Sequence, residues 1–436
     1  MKSKEAIYDV KELGKGKVLM LGLQHMFAMF GATVLVPLLT GLDVSTTLLF
    51  AGLGTLLFHA ITKGKVPAFL GSSFAFLGGY GAIAPLLADG SSNIEMIPYA
   101  CFGVACAGLV YVIFAGLIKV FSAQKVMSFF PPIVTGPIII AIGLTLSKSA
   151  IDNCNANWLI ALVAIAVVII CNIYGKGMIK IIPILLGVIA SYTVGILMGE
   201  VDFTPVKEAA WFGFPIRMEM TVFALFGENF DSGKLLASVL TIMPIALATI
   251  VEHVGDISAI SSTTGINYIK EPGLHRTMIG DGLATMLSSV FGGPANTTYG
   301  ENTGVLNLSK VYDPKVVRLA AVFAVIFSFC PKIASIIQVM PTATVGGISL
   351  ILYGMISAVG VRNVVENQVD FTKSRNVIIA ALILVLSIGV NYSAAGAIAF
   401  HIGEITISLS GLAAGALVGI VLNVILPEKD FQFEVM

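Results

Sequence analysis

Charge is scarce in this 436-residue sequence: Asp, Glu, Lys and Arg together make up 11% of it, against 57% hydrophobic residues. Soluble domains usually carry about 25% charged residues, so an ordinary water-exposed fold is excluded. The 25 basic and 25 acidic residues cancel. No basic tract offers a surface to nucleic acid, and no acidic tail offers a solvating arm. The five cysteines, Cys101, Cys106, Cys154, Cys171 and Cys330, lie in or beside apolar stretches without CxxC or Cys/His spacing. They read as small core residues, not as a disulfide or metal framework. The HExxH pattern is absent, as is any Ser/His/Asp set with supporting glycines. No ring of like side chains suggests a channel filter. The expectation is a protein that is not an enzyme and uses no metal or cofactor. The first 17 residues, MKSKEAIYDVKELGKGK, are polar for too long to be a signal peptide and lack its cleavage site, so they read as a cytoplasmic tail.

What is abundant is apolar sequence long enough to cross a bilayer, and the mean hydropathy is +0.95. Fourteen candidate spans can be marked: 18–40, 46–62, 66–87, 97–121, 127–147, 158–175, 181–199, 235–254, 277–293, 294–309, 316–330, 335–361, 376–391 and 404–426. With the N-terminus inside, twenty of the 25 Lys and Arg residues fall on cytoplasmic segments, as the positive-inside rule requires. Both termini are then cytoplasmic, in a multi-pass protein of the cytoplasmic (inner) membrane. The longest polar interruption, 200–234, divides the chain into a repeat over 18–199 and another over 235–426, with tails at 1–17 and 427–436. Seven spans per half is an odd number, so any structural repeat must be inverted, as in many secondary transporters.

Two interruptions occupy matching positions in the halves. The third span contains GSSFAFLGG (71–79) and the tenth GGPANTTYGENTG (292–304). Segments 72–76 and 296–300 have the residue content of short strands and could pair with each other. Their glycines would let a ligand approach the backbone, and half-helices beyond them would aim N–H groups at one point. The competing reading is a pair of glycine-kinked packing helices. Against it stands Glu301, because an intramembrane carboxylate costs at least about 2.5 kcal/mol on insertion scales. The eighth span adds Glu252, His253 and Asp256, with the two acids spaced i, i+4 on one helix face. Two carboxylates sharing a dehydrated cavity are suited to exchanging a proton. The alternative is that this span ends near Val251 and the acids sit in water. His25, in the first span, is either a satisfied structural group or, with Gln24, a tether for the acidic pair. His59 and His401 read as packing or interfacial residues, and Asp281, Asp370 and Glu404 as solvated groups near span ends.

Several blocks together resemble one family: LQHMFAMFGATVLVPLLTGLD (23–43), GKVPAFLGSSFAF (64–76), EHVGD (252–256), PGLHRTMIGDGLATM (272–286), NTTYGENTGV (296–305) and VGGISLILYGMISAVGVR (345–362). They are similar, in order and over nearly the whole chain, to the nucleobase:cation symporter-2, or nucleobase/ascorbate transporter, family. The resemblance implies an all-α polytopic membrane protein whose 14 transmembrane segments form two inverted 7-span repeats. It implies a core domain of spans 1–4 and 8–11, a gate domain of spans 5–7 and 12–14, and short antiparallel strands in spans 3 and 10. The implied activity is import of a nucleobase with a proton by alternating access, uracil first and xanthine or another oxopurine as the alternative, in a homodimer. Glu252 and Glu301 would accept the nucleobase N–H groups, the backbone N–H groups of Phe74 and Gly300 would donate to its carbonyls, and Tyr299 and Tyr353 would line the pocket. Asp256, His25 and Asn302 would hold the coupling proton or support the carboxylates. Two positions depart from the pattern of the uracil-carrying members. Asp256 stands where a histidine is expected, and Ser309 replaces a threonine. Asp256 leans toward the purine carriers, whereas Glu301 stands where those usually have Gln and leans toward uracil.

Overall fold

The structure is a computed structural model that describes residues 6–121, 123–227, 230–402 and 405–427. Glu404 and nearly all of the 427–436 tail lie outside them. Among the described residues seven helices are long and apolar enough to cross a membrane, or eight if the bent pair Pro314–Ser328 and Pro331–Gln338 (86°) is one span. Four shorter apolar helices accompany them: Phe74–Ile83, Trp158–Ile173, Pro183–Leu197 and Gly411–Ile425.

Helix Ile97–Phe121 shows how such sequence distributes itself. Ala100, Val104, Ala107, Tyr111, Ala115 and Ile118 are buried at helical spacing, while Leu109, Ile113, Leu117 and Val120 stand exposed on another face. Both faces are apolar, which is untenable in water and expected where lipid covers one of them. Close approach relies on small residues: a Cβ at Gly282, on Leu274–Val290, would lie 2.7 Å from Gly108 O, and one at Gly108 would lie 2.7 Å from Gly282 O. Without a hydrophobic driving force between helices in lipid, such backbone approach supplies the packing energy.

The packing pattern repeats itself (numbering the elements by the candidate span they occupy). Span 9 packs on span 4 and span 11 on span 2; span 8 on span 4 and span 1 on span 11; span 13 on span 14 and span 6 on span 7; span 12 on span 6 and span 13 on span 5. In each of these couples the second pairing is the first with seven added to or subtracted from each member. The pairings of span 2 with span 9 and of span 5 with span 12 map onto themselves.

Two three-residue strands, β1 (Leu70–Ser72) and β2 (Asn296–Thr298), pair antiparallel and are wholly buried. They start earlier than the 72–76 segment expected for the first of them, and Phe74–Phe76 is instead a 3₁₀ turn leading into helix Leu77–Ile83. Three further expectations need correction. The chain is not entirely helical: β3 (Ala397–Ile402) and β4 (Ile405–Ser410) form a hairpin where the fourteenth span was expected to begin, and its helix starts only at Gly411. The twelfth span begins at Thr342, because Pro331–Gln338 belongs to the bent pair. Helical structure of the eighth span runs from Ser232 to Thr264, broken at Met243–Ile245 where Pro244 removes a backbone donor.

The N-terminal tail is not simply solvated. Ile7 pairs with Val311 (Ile7 N to Lys310 O and Tyr312 N to Ile7 O, both 2.8 Å), and Val10 N donates to Asp313 Oδ2 at 2.8 Å. Tyr8 donates to Thr264 O at 2.7 Å and packs on the Tyr312 ring. The Lys11 backbone N–H, and then Lys315, hold the Asp9 carboxyl below its ordinary range. The strap thus joins the ends of helices Ala246–Thr264 and Gly300–Ser309. Deleting residues 1–13 is expected to lower the thermal midpoint in detergent by about 2–5 °C, from a few lost hydrogen bonds and apolar contacts. An unchanged midpoint would show that the strap adds no stability.

Candidate functional site

The β1–β2 crossing is anchored from all sides, which is what permits non-helical backbone among membrane helices. Its register sets Leu70 against Thr298, Gly71 against Thr297 and Ser72 against Asn296, extended by Ser73 N to Ala295 O (2.9 Å) and Tyr299 N to Phe69 O (3.0 Å). Thr55 Oγ1 bonds both Leu70 N (2.9 Å) and Leu70 O (3.2 Å), and Thr285 Oγ1 does the same for Asn296 N and O (both 3.1 Å). The two threonines sit on candidate spans 2 and 9, so each half supports its own strand in the same way.

The Tyr299 ring lies against Gly71, where a Cβ would clash with the ring and approach Thr33 Oγ1 to 2.8 Å. The Tyr299 hydroxyl donates to Ser72 O at 3.0 Å and accepts from Thr33 Oγ1 at 3.3 Å. Helix Gly300–Ser309 follows directly, with no side-chain cap on its N-terminus. The Phe74 turn likewise starts without a side-chain cap. The first N–H groups of a helix have no partner within it. Both expected backbone donors, Phe74 and Gly300, are therefore first residues of uncapped turns. Gly300 is exposed, and a Cβ at Gly78, Gly255, Gly300 or Gly304 would meet nothing within 4 Å.

Two of the acids directly follow such glycines, Asp256 after Gly255 and Glu301 after Gly300. Glu252, Asp256 and Glu301 are each partly buried, and Glu252 lies within the electrostatic reach of Asp256, Asp281 and Glu301. Helix Ala246–Thr264 continues unbroken past Asp256, so the acids do not sit beyond a span end at Val251. Thr298, on β2, donates to Asp256 Oδ2 at 2.7 Å. Glu252 Oε2 has no hydrogen-bond partner. An unpaired buried acceptor is costly, and a ligand N–H would relieve it.

His25 reads as a structural group or a tether for the acidic pair, and the hydrogen bonds it makes are to Asn302. Asn302 Nδ2 reaches both His25 O (3.0 Å) and His25 Nδ1 (3.2 Å), linking candidate spans 1 and 10. Nδ1 is then the acceptor, so the ring hydrogen is on Nε2, which is buried without a partner. Tyr353 comes from helix Thr342–Glu366 and meets Phe74 edge-on, ring centroids 5.8 Å apart. His59 is a packing residue, its Nε2 2.8 Å from Ala68 O. Asp370 is exposed as expected, and the His401 side chain lies outside the described residues. Asp281 is the clear miss: it is 0% exposed and faces His253. Thr33 and Thr298 were also missed, and no compositional signal distinguishes them. The cysteines are all free, and no cluster that could hold a metal ion occurs among the described residues.

Two broken helices that cross as strands, with carboxylates and uncapped N-termini nearby, are an arrangement that suits the binding site of a membrane transporter. A model of the permease family matches residues 16–396. The chain is 41% identical over 426 residues to the uracil permease of Bacillus caldolyticus, covering 95% of this chain and 93% of that one. It is 37% identical over 419 residues to the uracil permease of Escherichia coli (strain K12), covering 93% and 90%. The chain belongs to this permease family, the nucleobase:cation symporter-2 transporters; it is a multi-pass membrane protein and a transporter, not an enzyme. Among solved structures, the transmembrane domain of the cyanobacterial bicarbonate transporter BicA aligns with a TM-score of 0.61 at 15% identity, covering 97% of this chain and all of that one. Murine solute carrier 26 family member A9, an anion transporter in the inward-facing state, aligns at 0.67 and 13%, covering 96% and 69%. At such identity these two bear on the fold alone.

Proposed function

We propose that the protein is a uracil:proton symporter of the cytoplasmic membrane. The observation that carries the reading is the meeting of Glu252, Glu301 and the uncapped Gly300 N–H at one open crossing. A pyrimidine-dione presents N–H donors alternating with carbonyl acceptors in a plane. Two carboxylates accept the donors, the Phe74 and Gly300 amides meet the carbonyls, and Tyr299 and Tyr353 flank the ring. The uracil permeases related to this chain support the substrate. The coupling proton resides on the Glu252, Asp256 and Glu301 group, with His25 and Asn302 holding the helix that bears Glu301.

The seven-span offset in the packing supports fourteen spans in two inverted repeats, both termini cytoplasmic. It also supports a core of spans 1–4 and 8–11 moving against a gate of spans 5–7 and 12–14. The Phe74–Tyr353 contact bridges the two groups, so rocking between them opens the site to alternate sides. The protein works as a homodimer.

The second reading is an oxopurine, favoured by Asp256, whose carboxylate offers an extra acceptor to a larger ring system. Uptake of radiolabelled uracil into proteoliposomes under an inward proton gradient, with excess unlabelled xanthine, separates the two. Uptake insensitive to xanthine is expected; failure of uracil to enter while labelled xanthine does would overturn the uracil reading. Asp256→His is expected to keep uracil uptake, because imidazole can still meet the Thr298 hydroxyl. Loss of all binding in that variant would instead place Asp256 in direct contact with the substrate.

A further inference from the structure

His253 follows Glu252 on the same helix and therefore points about 100° away from it. It leaves the open crossing and enters the contact with helix Leu274–Val290. There the ring is 0% exposed. Its Nε2 lies 3.0 Å from Thr277 Oγ1, and the Thr277 hydroxyl donates to Leu274 O at 2.9 Å. With that hydroxyl hydrogen committed, Thr277 can only accept, so Nε2 carries a hydrogen. On the other side His253 Nδ1 is 2.8 Å from Asp281 Oδ2, a close contact without hydrogen-bond alignment. Two bare acceptor atoms repel at that separation, so the contact holds one proton, and the pair is neutral whichever atom carries it. The Tyr111 ring closes the third side edge-on, 6.3 Å between centroids. Glu252 and Asp256 on the same helix are the other ionisable neighbours, together with Tyr111 from helix Ile97–Phe121.

The imidazole is thus bonded at Nε2, in close contact with Asp281 at Nδ1 and closed on one edge by Tyr111, immediately beside a glutamate whose Oε2 has no hydrogen-bond partner. Holding His253 fixes the rotation of the helix about its own axis, and that rotation decides where the Glu252 carboxylate points. We propose that Asp281, acting through His253, is a positioning residue that aims Glu252 at the substrate. The pair adds no net charge to the site and carries no transported proton. This inference rests on the reading of Glu252 as a substrate acceptor.

The test measures uracil affinity, transport KM and maximal rate, pH profile and thermal midpoint for the purified full-length protein and for Asp281→Ala, Asp281→Asn and Thr277→Val. Asp281→Ala is expected to raise KM and Kd about tenfold or more. Asp281→Asn, whose amide keeps a polar group within reach of Nδ1, restores affinity to within about threefold with an unchanged pH profile. Thr277→Val frees the opposite nitrogen and raises KM by a smaller factor, which keeps the proposal testable if Asp281→Ala fails to fold. Wild-type affinity in Asp281→Ala or in Thr277→Val overturns the proposal. So does an Asn variant as impaired as Ala, or one that binds normally yet loses proton-driven accumulation, since either makes the charge the important property. A wild-type protein that binds no uracil overturns the substrate reading first, and with it the role given to the pair.

Discussion

Glu252→Gln and Glu301→Gln are each expected to weaken uracil binding about 10- to 100-fold and to abolish measurable uptake, while the protein still reaches the membrane. A hydrogen bond to a charged group contributes about 1.5–3 kcal/mol, and a carboxamide turned the wrong way sets one N–H against another. The isosteric change leaves helix packing intact, because both side chains are only partly buried and Glu252 Oε2 bonds no neighbouring helix. Glu252 is the sharper of the two, since its Oε2 has no protein partner to lose. Membrane abundance by immunoblot, alongside equilibrium binding to purified protein, separates lost recognition from lost folding. Retained transport in either variant would contradict the assignment.

Gly71→Ala is expected to damage binding as severely without altering any charged group. The new methyl would displace the Tyr299 ring and crowd Thr33. Tyr299 is the residue before Gly300, so the displacement moves the start of the helix that presents the Gly300 amide and Glu301. Overpacking in a close-packed region costs about 1–3 kcal/mol, and a shift of about an ångström in a binding constellation is enough to lose much of its function. Binding measured together with the thermal midpoint reads both effects. Normal affinity with a normal midpoint would mean that the crossing tolerates the methyl and does not set the site.

The acids at the site were legible in the sequence because charge is so sparse that each intramembrane carboxylate demands a reason. The i, i+4 spacing of Glu252 and Asp256 puts them on one face only if the helix continues past Val251, and the helix does continue to Thr264. Strand position was less legible. Phe74–Phe76 has strand-like composition, but β propensity depends on what a segment packs against, and the available partner, Asn296–Thr298, lies opposite Leu70–Ser72. A short apolar run fits strand or helix equally well, which is why the run from 404 read as the start of a span.

Asp281 was misread for a different reason. Its span was taken to begin at 277, near which an acid would be solvated, whereas the helix begins at Leu274 and places residue 281 well inside it. Thr277 and Asp281 are themselves i, i+4, a polar face that could have announced a buried partner. The tail hid its role similarly, because its lysines dominate the composition while Ile7, Val10 and Leu13 do the packing. Long-range partners such as Asn302 with His25 are set by tertiary folding alone and leave no local mark.

The central claim is that one proton accompanies each uracil, so that net charge crosses the membrane with a neutral substrate. A potential of 100 mV acts on one elementary charge with about 2.3 kcal/mol, enough for about 50-fold accumulation at equilibrium. The measurement is radiolabelled uracil uptake into proteoliposomes bearing a potassium diffusion potential of about 100 mV, inside negative, with equal pH on both sides. Accumulation well above the external concentration, collapsed by a protonophore, is the predicted result. Uracil that enters only to equal concentration, whatever the potential, would contradict the account.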